Sequence, residues 1–136
     1  MNREDNMKED NSYAIESMVD RAEHQPDSGI LCVTFSDQLS SARLRDFRDF
    51  FREEFERGHY KLVLNLEKVD IILSAHIGIL WSQRQIAQQH GGDLKFVGLS
   101  KMIYAAFDAI SLITFIDIFD TVEEAIEAFG RNGGRE

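Results

Sequence analysis

Leu62-Val63-Leu64-Asn65-Leu66-Glu67-Lys68-Val69-Asp70-Ile71-Ile72-Leu73-Ser74-Ala75-His76-Ile77-Gly78-Ile79-Leu80 holds two kinds of order in succession. Tyr60 to Leu66 is almost continuously apolar and reads as a buried strand. Val69 to Leu73 is a second apolar run, which leads into a helix beginning near Ser74. In that helix Ile77, Leu80, Trp81 and Ala87 fall near one face, and Ile79 and Ile86 widen it. Trp81 at this spacing reads as core. Gly91-Gly92 ends the helix.

The same alternation extends in both directions. Toward the N-terminus, Ile30 to Phe35 is apolar and β-branched, so a strand. Ser40 or Ser41 is placed to cap a helix whose stripe is Leu44, Phe47, Phe51 and Phe55, widened by Phe50. The charged residues between them read as a solvated face with helical ion pairs. Gly58 stands where a C-terminal cap belongs. Toward the C-terminus, Asp93 to Gly98 is a third core strand, and Ser100 caps a helix carrying Ile103, Ala106, Phe107 and Ile110. Thr114 to Phe119 reads as a fourth strand. Asp120 or Thr121 opens a last helix with capping-box spacing in Thr121-Val122-Glu123-Glu124 and a stripe of Val122, Ala125, Ile126 and Phe129. Gly130 is expected to stop it. Ahead of the regular region, Tyr13, Ile15 and Val19 alternate weakly over Ser12 to Val19, compatible with an edge strand, and Pro26-Asp27-Ser28-Gly29 marks a turn. Strand and helix in strict alternation predict an α/β fold, a mostly parallel sheet covered by helices. The organisation expected is an acidic disordered tail over 1–11, one domain over 12–131 and a flexible end over 132–136.

Composition narrows the function. The chain has 136 residues and a formal charge of −9, of which residues 1–27 carry −5. An acidic chain lacks the basic face that a phosphate backbone requires, and it does not suit an anionic membrane surface. Cys32 is the single cysteine, so no internal disulfide and no thiolate cluster is expected. No apolar run approaches the roughly 20 residues of a membrane span, and residues 1–10 are too polar for a secretory signal. A soluble, cytoplasmic protein is expected.

A catalytic signature is sought and not found. His24, His59, His76 and His90 show no metal-ligand spacing. There is no phosphate-binding glycine loop and no nucleophile elbow. Cys32 within an apolar strand reads as a small buried hydrophobe. No cofactor or metal is implied. Ser74 remains, at a strand-to-helix junction on the edge where open α/β sheets bind ligands. It reads as an N-cap, and an N-cap can also be a phosphorylation site.

From about Ser28 to Phe129 the sequence resembles the STAS family, named for sulphate transporters and anti-sigma-factor antagonists. The apolar strand and the run through Val69-Asp70-Ile71-Ile72-Leu73-Ser74-Ala75-His76-Ile77-Gly78 resemble the family's V-D-F-I-D-S-S-G-L-G. Gly91-Gly92-Asp93-Leu94-Lys95-Phe96-Val97-Gly98-Leu99-Ser100 resembles G-G-x-L-x-L-V-G-x-S, and Phe119 to Ala125 resembles F-x-S-x-E-E-A. The resemblance implies a four- to five-stranded mixed sheet with about four helices. It implies a non-catalytic role by partner switching with a serine kinase that is also an anti-sigma factor, in a bacterial signalling system. The phosphoacceptor position falls on Ser74, and the partner surface is expected to include Asp70, His76 and Ile77, with the loop between Phe35 and Ser41. The family's D-S-S-G stands here as Leu73-Ser74-Ala75-His76, with only the serine kept. That departure is what an accessory or scaffold STAS domain of a transporter or signalling assembly would carry.

Overall fold

The structure, a computed structural model, describes residues 18–133, with side chains described as far as 130. Five strands form one sheet in the order β1-β2-β3-β4-β5: β1 (Val19–Gln25), β2 (Ile30–Phe35), β3 (Lys61–Asn65), β4 (Asp93–Val97) and β5 (Asp117–Phe119). Four α-helices follow β2, β3, β4 and β5 in turn: α1 (Leu44–Glu56), α2 (Ser74–Gln89), α3 (Lys101–Ala109) and α4 (Val122–Gly133). The predicted α/β class and mixed, mostly parallel sheet are observed. Among the described residues β1 and β2 form the one antiparallel pair, and the pairs β2–β3, β3–β4 and β4–β5 are parallel.

Strand order explains the layering. Successive parallel strands are added in one direction, and connections of one hand then place their helices on one face. Accordingly α1, α2 and α3 cover the face built by Leu31, Val33, Leu62, Leu64, Leu94 and Phe96. α4 covers part of the other face, where Ala125 and Phe129 meet Ile30, Val63 and Val97. Alternate residues of β3 thus serve two cores, which is why that strand reads as an unbroken apolar run. The phenylalanines of α1 account for much of the larger core: Phe47 and Phe51 are edge-to-face at 5.2 Å, and Phe35 meets Phe47 at 5.8 Å.

Two glycines are required where the loops cross the sheet edges. A Cβ on Gly92 would overlap the carbonyl of Tyr60, beside which Asp93 N–H donates to that same oxygen at 3.0 Å. Gly98 has φ +73° and would bring a Cβ to 2.9 Å from Cβ of Glu67.

Several boundaries differ from those read in the sequence. α1 is preceded by Arg43 rather than Ser40 or Ser41; those serines belong to a 3₁₀ turn, Leu39–Ser41, in which the Ser41 hydroxyl donates to the Gln38 carbonyl at 3.1 Å. Burial of Leu39 anchors this extra turn. The fourth predicted strand shrinks to Asp117–Phe119, because Ser111 takes a left-handed φ of 61° and Thr114 Oγ1 donates back to its carbonyl at 2.8 Å, closing a second 3₁₀ turn. α4 runs through Gly130, which keeps a helical backbone, to Gly133. Ile110 is 61% exposed, outside the stripe assigned to it. The first described strand begins at Val19, and Met18 is not part of it; residues 12–17 of the strand read over Ser12 to Val19 fall outside the described residues. The turn at residues 26–29, the Ser100 cap on Ile103 N–H (3.1 Å) and the Thr121–Glu124 capping box (3.1 Å in each direction) stand as read.

Candidate functional site at the start of helix α2

The loop between β3 and α2 is fixed by what it buries. Val69 and Ile72 enter the core, which turns Asp70, Ile71 and Leu73 outward. Leu66 N–H donates to the Val97 carbonyl at 2.8 Å, and Val69 N–H donates to the Leu66 carbonyl at 3.0 Å. Ser100 joins this loop to α3: its hydroxyl donates to the Asp70 carbonyl at 2.7 Å while its oxygen accepts from Ile103 N–H. The loop thus presents one defined surface at the C-terminal edge of the sheet.

Ser74 is the first residue of α2 rather than its cap; the cap position is Leu73, with φ −84° and ψ 158°. Leucine offers no acceptor, so the first turn is satisfied in another way. His76, three residues on, accepts the Leu73 N–H on Nδ1 at 3.1 Å. This is the return half of a capping box, made by an imidazole. Ser74 is exposed, and its hydroxyl is not used in capping. A 16-residue helix starts at this hydroxyl, and its positive end favours an anionic group there.

The four residues expected at the site separate into two layers. Ser74 and Asp70 are exposed, and Ile77 is mostly buried with one side open to a groove. His76 is wholly buried against Phe47, ring centroids 5.3 Å apart, so its ring lies beneath the surface that Ser74 and Asp70 expose. In the Phe35–Ser41 loop, Asp37 and Gln38 are exposed and Leu39 is buried.

Beside Ser74 lies an apolar groove of about 360 Å³ between α2 and the segment after α3. Ile77, Gly78 and Trp81 form one wall, and Ile110, Leu112 and Phe115 the other. Trp81 is half-buried, and its ring meets Phe115 edge-to-face at 5.8 Å. Leu73, Ile110 and Phe115 are each more than half exposed. Large apolar side chains thus surround one groove as an exposed patch. Ile110 and Phe115 were missed in the sequence because the run from Ile110 to Phe115 resembles core. The left-handed turn at Ser111, invisible to periodicity, breaks this run, in which Ile110 and Phe115 are exposed while Leu112 stays buried.

The opposite face carries a polar concavity of about 380 Å³ with Cys32 in its wall. An ion pair in its lining, Lys68 to Asp20 at 2.7 Å, holds the Asp20 carboxyl below its usual range. Among the described residues no group of three His, Cys, Asp or Glu side chains converges as a metal site would. No helix among them is long and apolar enough to cross a membrane.

The model of the STAS domain matches residues 21–125. The chain belongs to the STAS-domain family. No curated protein sequence matches it significantly. Among solved structures, the Thermotoga maritima protein TM1081, described as a candidate anti-sigma-factor antagonist, superposes with TM-score 0.69 at 18% identity, over 80% of this chain and 92% of that one. The anti-sigma factor antagonist SpoIIAA in its unphosphorylated form gives 0.65 at 16% identity, over 84% and 96%. Murine Slc26a9, an anion transporter, gives 0.64 at 16% identity, over 80% of this chain and 19% of the transporter. At such identities these likenesses establish the shared fold.

Proposed function

We propose that this STAS domain is a non-catalytic regulatory module that docks a protein partner on the Ser74 groove. The observation that carries this is a free, exposed hydroxyl at the first position of α2, bordered by an apolar groove and by exposed Leu73, Ile110 and Phe115. The partner suggested by the family is a serine kinase that doubles as an anti-sigma factor, within a cytoplasmic bacterial pathway of transcription control. Phosphate on Ser74 adds about −1.5 to −2 charge at the rim of an apolar contact. That charge costs the interface its desolvation, while the helix start offsets its effect on the fold. The domain stays folded and the partner leaves.

A second reading is an accessory STAS domain that binds without being modified. Leu73 and Ala75, both exposed, flank Ser74 with apolar groups where the family motif has an aspartate and a hydroxyl. The fold likeness to a transporter domain supports that reading. Incubation with a STAS-partner serine kinase and ATP, followed by mass spectrometry, separates the two. Phosphate on Ser74, with weaker kinase binding by Ser74→Asp than by Ser74→Ala, supports switching. Binding without phosphate, equal for the two variants, supports the accessory role.

A further inference from the structure

We propose that His76 is a positioning residue for the Ser74 surface: its Nδ1 lone pair holds the Leu73 N–H, and a proton placed on that nitrogen releases the first turn of α2. The first backbone N–H groups of a helix have no partner within it. Leu73 has no side-chain acceptor, and the 3.1 Å bond to His76 Nδ1 takes the place of one. A backbone N–H can only donate, so Nδ1 is unprotonated and the neutral ring carries its hydrogen on Nε2.

Protonation opposes this arrangement in three ways. Nδ1 becomes a donor facing a donor. The new charge sits at the positive end of a 16-residue helix. The ring is wholly buried and edge-on to Phe47, where charge is poorly solvated. Nε2 makes no hydrogen bond that would compensate. Burial lowers the proton affinity of His76 from the ordinary 6.5, and the nearby Leu39 carbonyl offsets part of this without reaching hydrogen-bond geometry. Charged side chains on the surrounding elements do not intervene: Arg43 ahead of α1 and Asp46 within it pair with each other at 3.0 Å, and Asp37 and Asp70 are exposed. The folded ring therefore binds its proton less well than the unfolded one. Stability is fully present above about pH 6.5 and is lost as pH falls through the folded value.

The local route to relief is short. Leu73, Ser74 and Ala75 are already exposed, so opening one turn wets the ring while Ile79, Leu80 and Ala87 stay in the core. The docking surface is then ordered near neutrality and released in mild acid. The proposal holds for the free chain and rests on the docking reading only for its consequence.

Amide exchange in the full chain and in His76→Gln tests it. Glutamine at this position supplies the same acceptor and does not titrate. Each protein is compared with itself at about pH 7.5 and about pH 5, after correction for intrinsic exchange. The wild type is expected to lose about tenfold or more of its protection over residues 73–77 in acid, with β3 and β4 unchanged, and His76→Gln less than about threefold. Unchanged wild-type protection, an equal loss in β3 and β4, or the same loss in His76→Gln overturns the proposal. Should His76→Gln fail to fold, NMR titration of the wild type decides: the Leu73 amide must shift with the midpoint of the His76 ring, and a separate midpoint overturns it. A chain that shows this pH response yet binds no partner refutes the docking reading alone.

Discussion

Lys95, wholly buried in the middle of β4, places its ammonium 2.7 Å from the carboxylate of Asp117 on the neighbouring strand. Asp93 lies further off at 3.4 Å, and the Phe129 ring stands 4.8 Å beneath the charge. The two partners are unequal, since the Asp117 side chain is about half exposed and the Lys95 side chain is not exposed at all. Removing Asp117 leaves the buried charge with only the longer pair to Asp93, whereas removing the lysine leaves an acid that water can solvate. Asp117→Ala is expected to cost about 1–3 kcal/mol, read as a drop in urea midpoint. Lys95→Met, which keeps the packing, is expected to be neutral or stabilising. The reverse order would mean that the pair itself drives folding.

Gly92 and Gly78 should respond oppositely to alanine. At Gly92 a methyl group meets the Tyr60 carbonyl, a backbone atom that cannot turn aside, and a loss of about 3 kcal/mol or more is expected in chemical denaturation. At Gly78 a Cβ meets nothing within 4 Å, and the residue is inside a helix. There alanine is expected to add about 0.5–1 kcal/mol. Because Gly78 lines the groove, the same substitution should weaken docking, separating stability from binding in one variant.

Cys32 should alkylate slowly. Its thiol is pushed up from the ordinary 9.0, first by burial, then by Glu23 and Glu123, with a hydrogen bond to Gln25 acting the other way. Less thiolate is present at any given pH, so the rate profile moves to higher pH. Iodoacetamide labelling followed by intact mass should run several-fold slower than on a free-cysteine peptide, and Glu23→Gln should recover part of the difference. Labelling as fast as the peptide would show an open thiol.

Much of this fold is legible in the sequence because each element is consistent within itself. The stripe Phe47, Phe51, Phe55 gives α1, the run Leu62 to Leu66 gives β3, and Ser100 and Thr121 mark helix starts through hydrogen bonds they do make. What escapes is set by single backbone angles and by tertiary burial. The left-handed Ser111 shortens β5 and breaks the run in which Ile110 and Phe115 are exposed. Burial of Leu39 moves the start of α1 past two serines that could have capped it. Ser74 looks like a cap, yet the cap position is a leucine completed by His76, an exchange of roles that composition does not signal. The loop-to-helix junction that holds Ser74 is thus legible, while the division between exposed Ser74 and buried His76 required the packed structure.

The central claim is that a protein partner docks on the groove beside Ser74. Calorimetric titration of a STAS-partner serine kinase with the wild type, Ser74→Ala, Ser74→Asp and Phe115→Ala measures it. Phe115 is 59% exposed, so its truncation leaves the core intact. Wild type and Ser74→Ala are expected to bind alike, with Ser74→Asp and Phe115→Ala weaker by about tenfold or more, as truncation of an aromatic anchor predicts. Equal binding by all four proteins, or none by the wild type, would contradict the account.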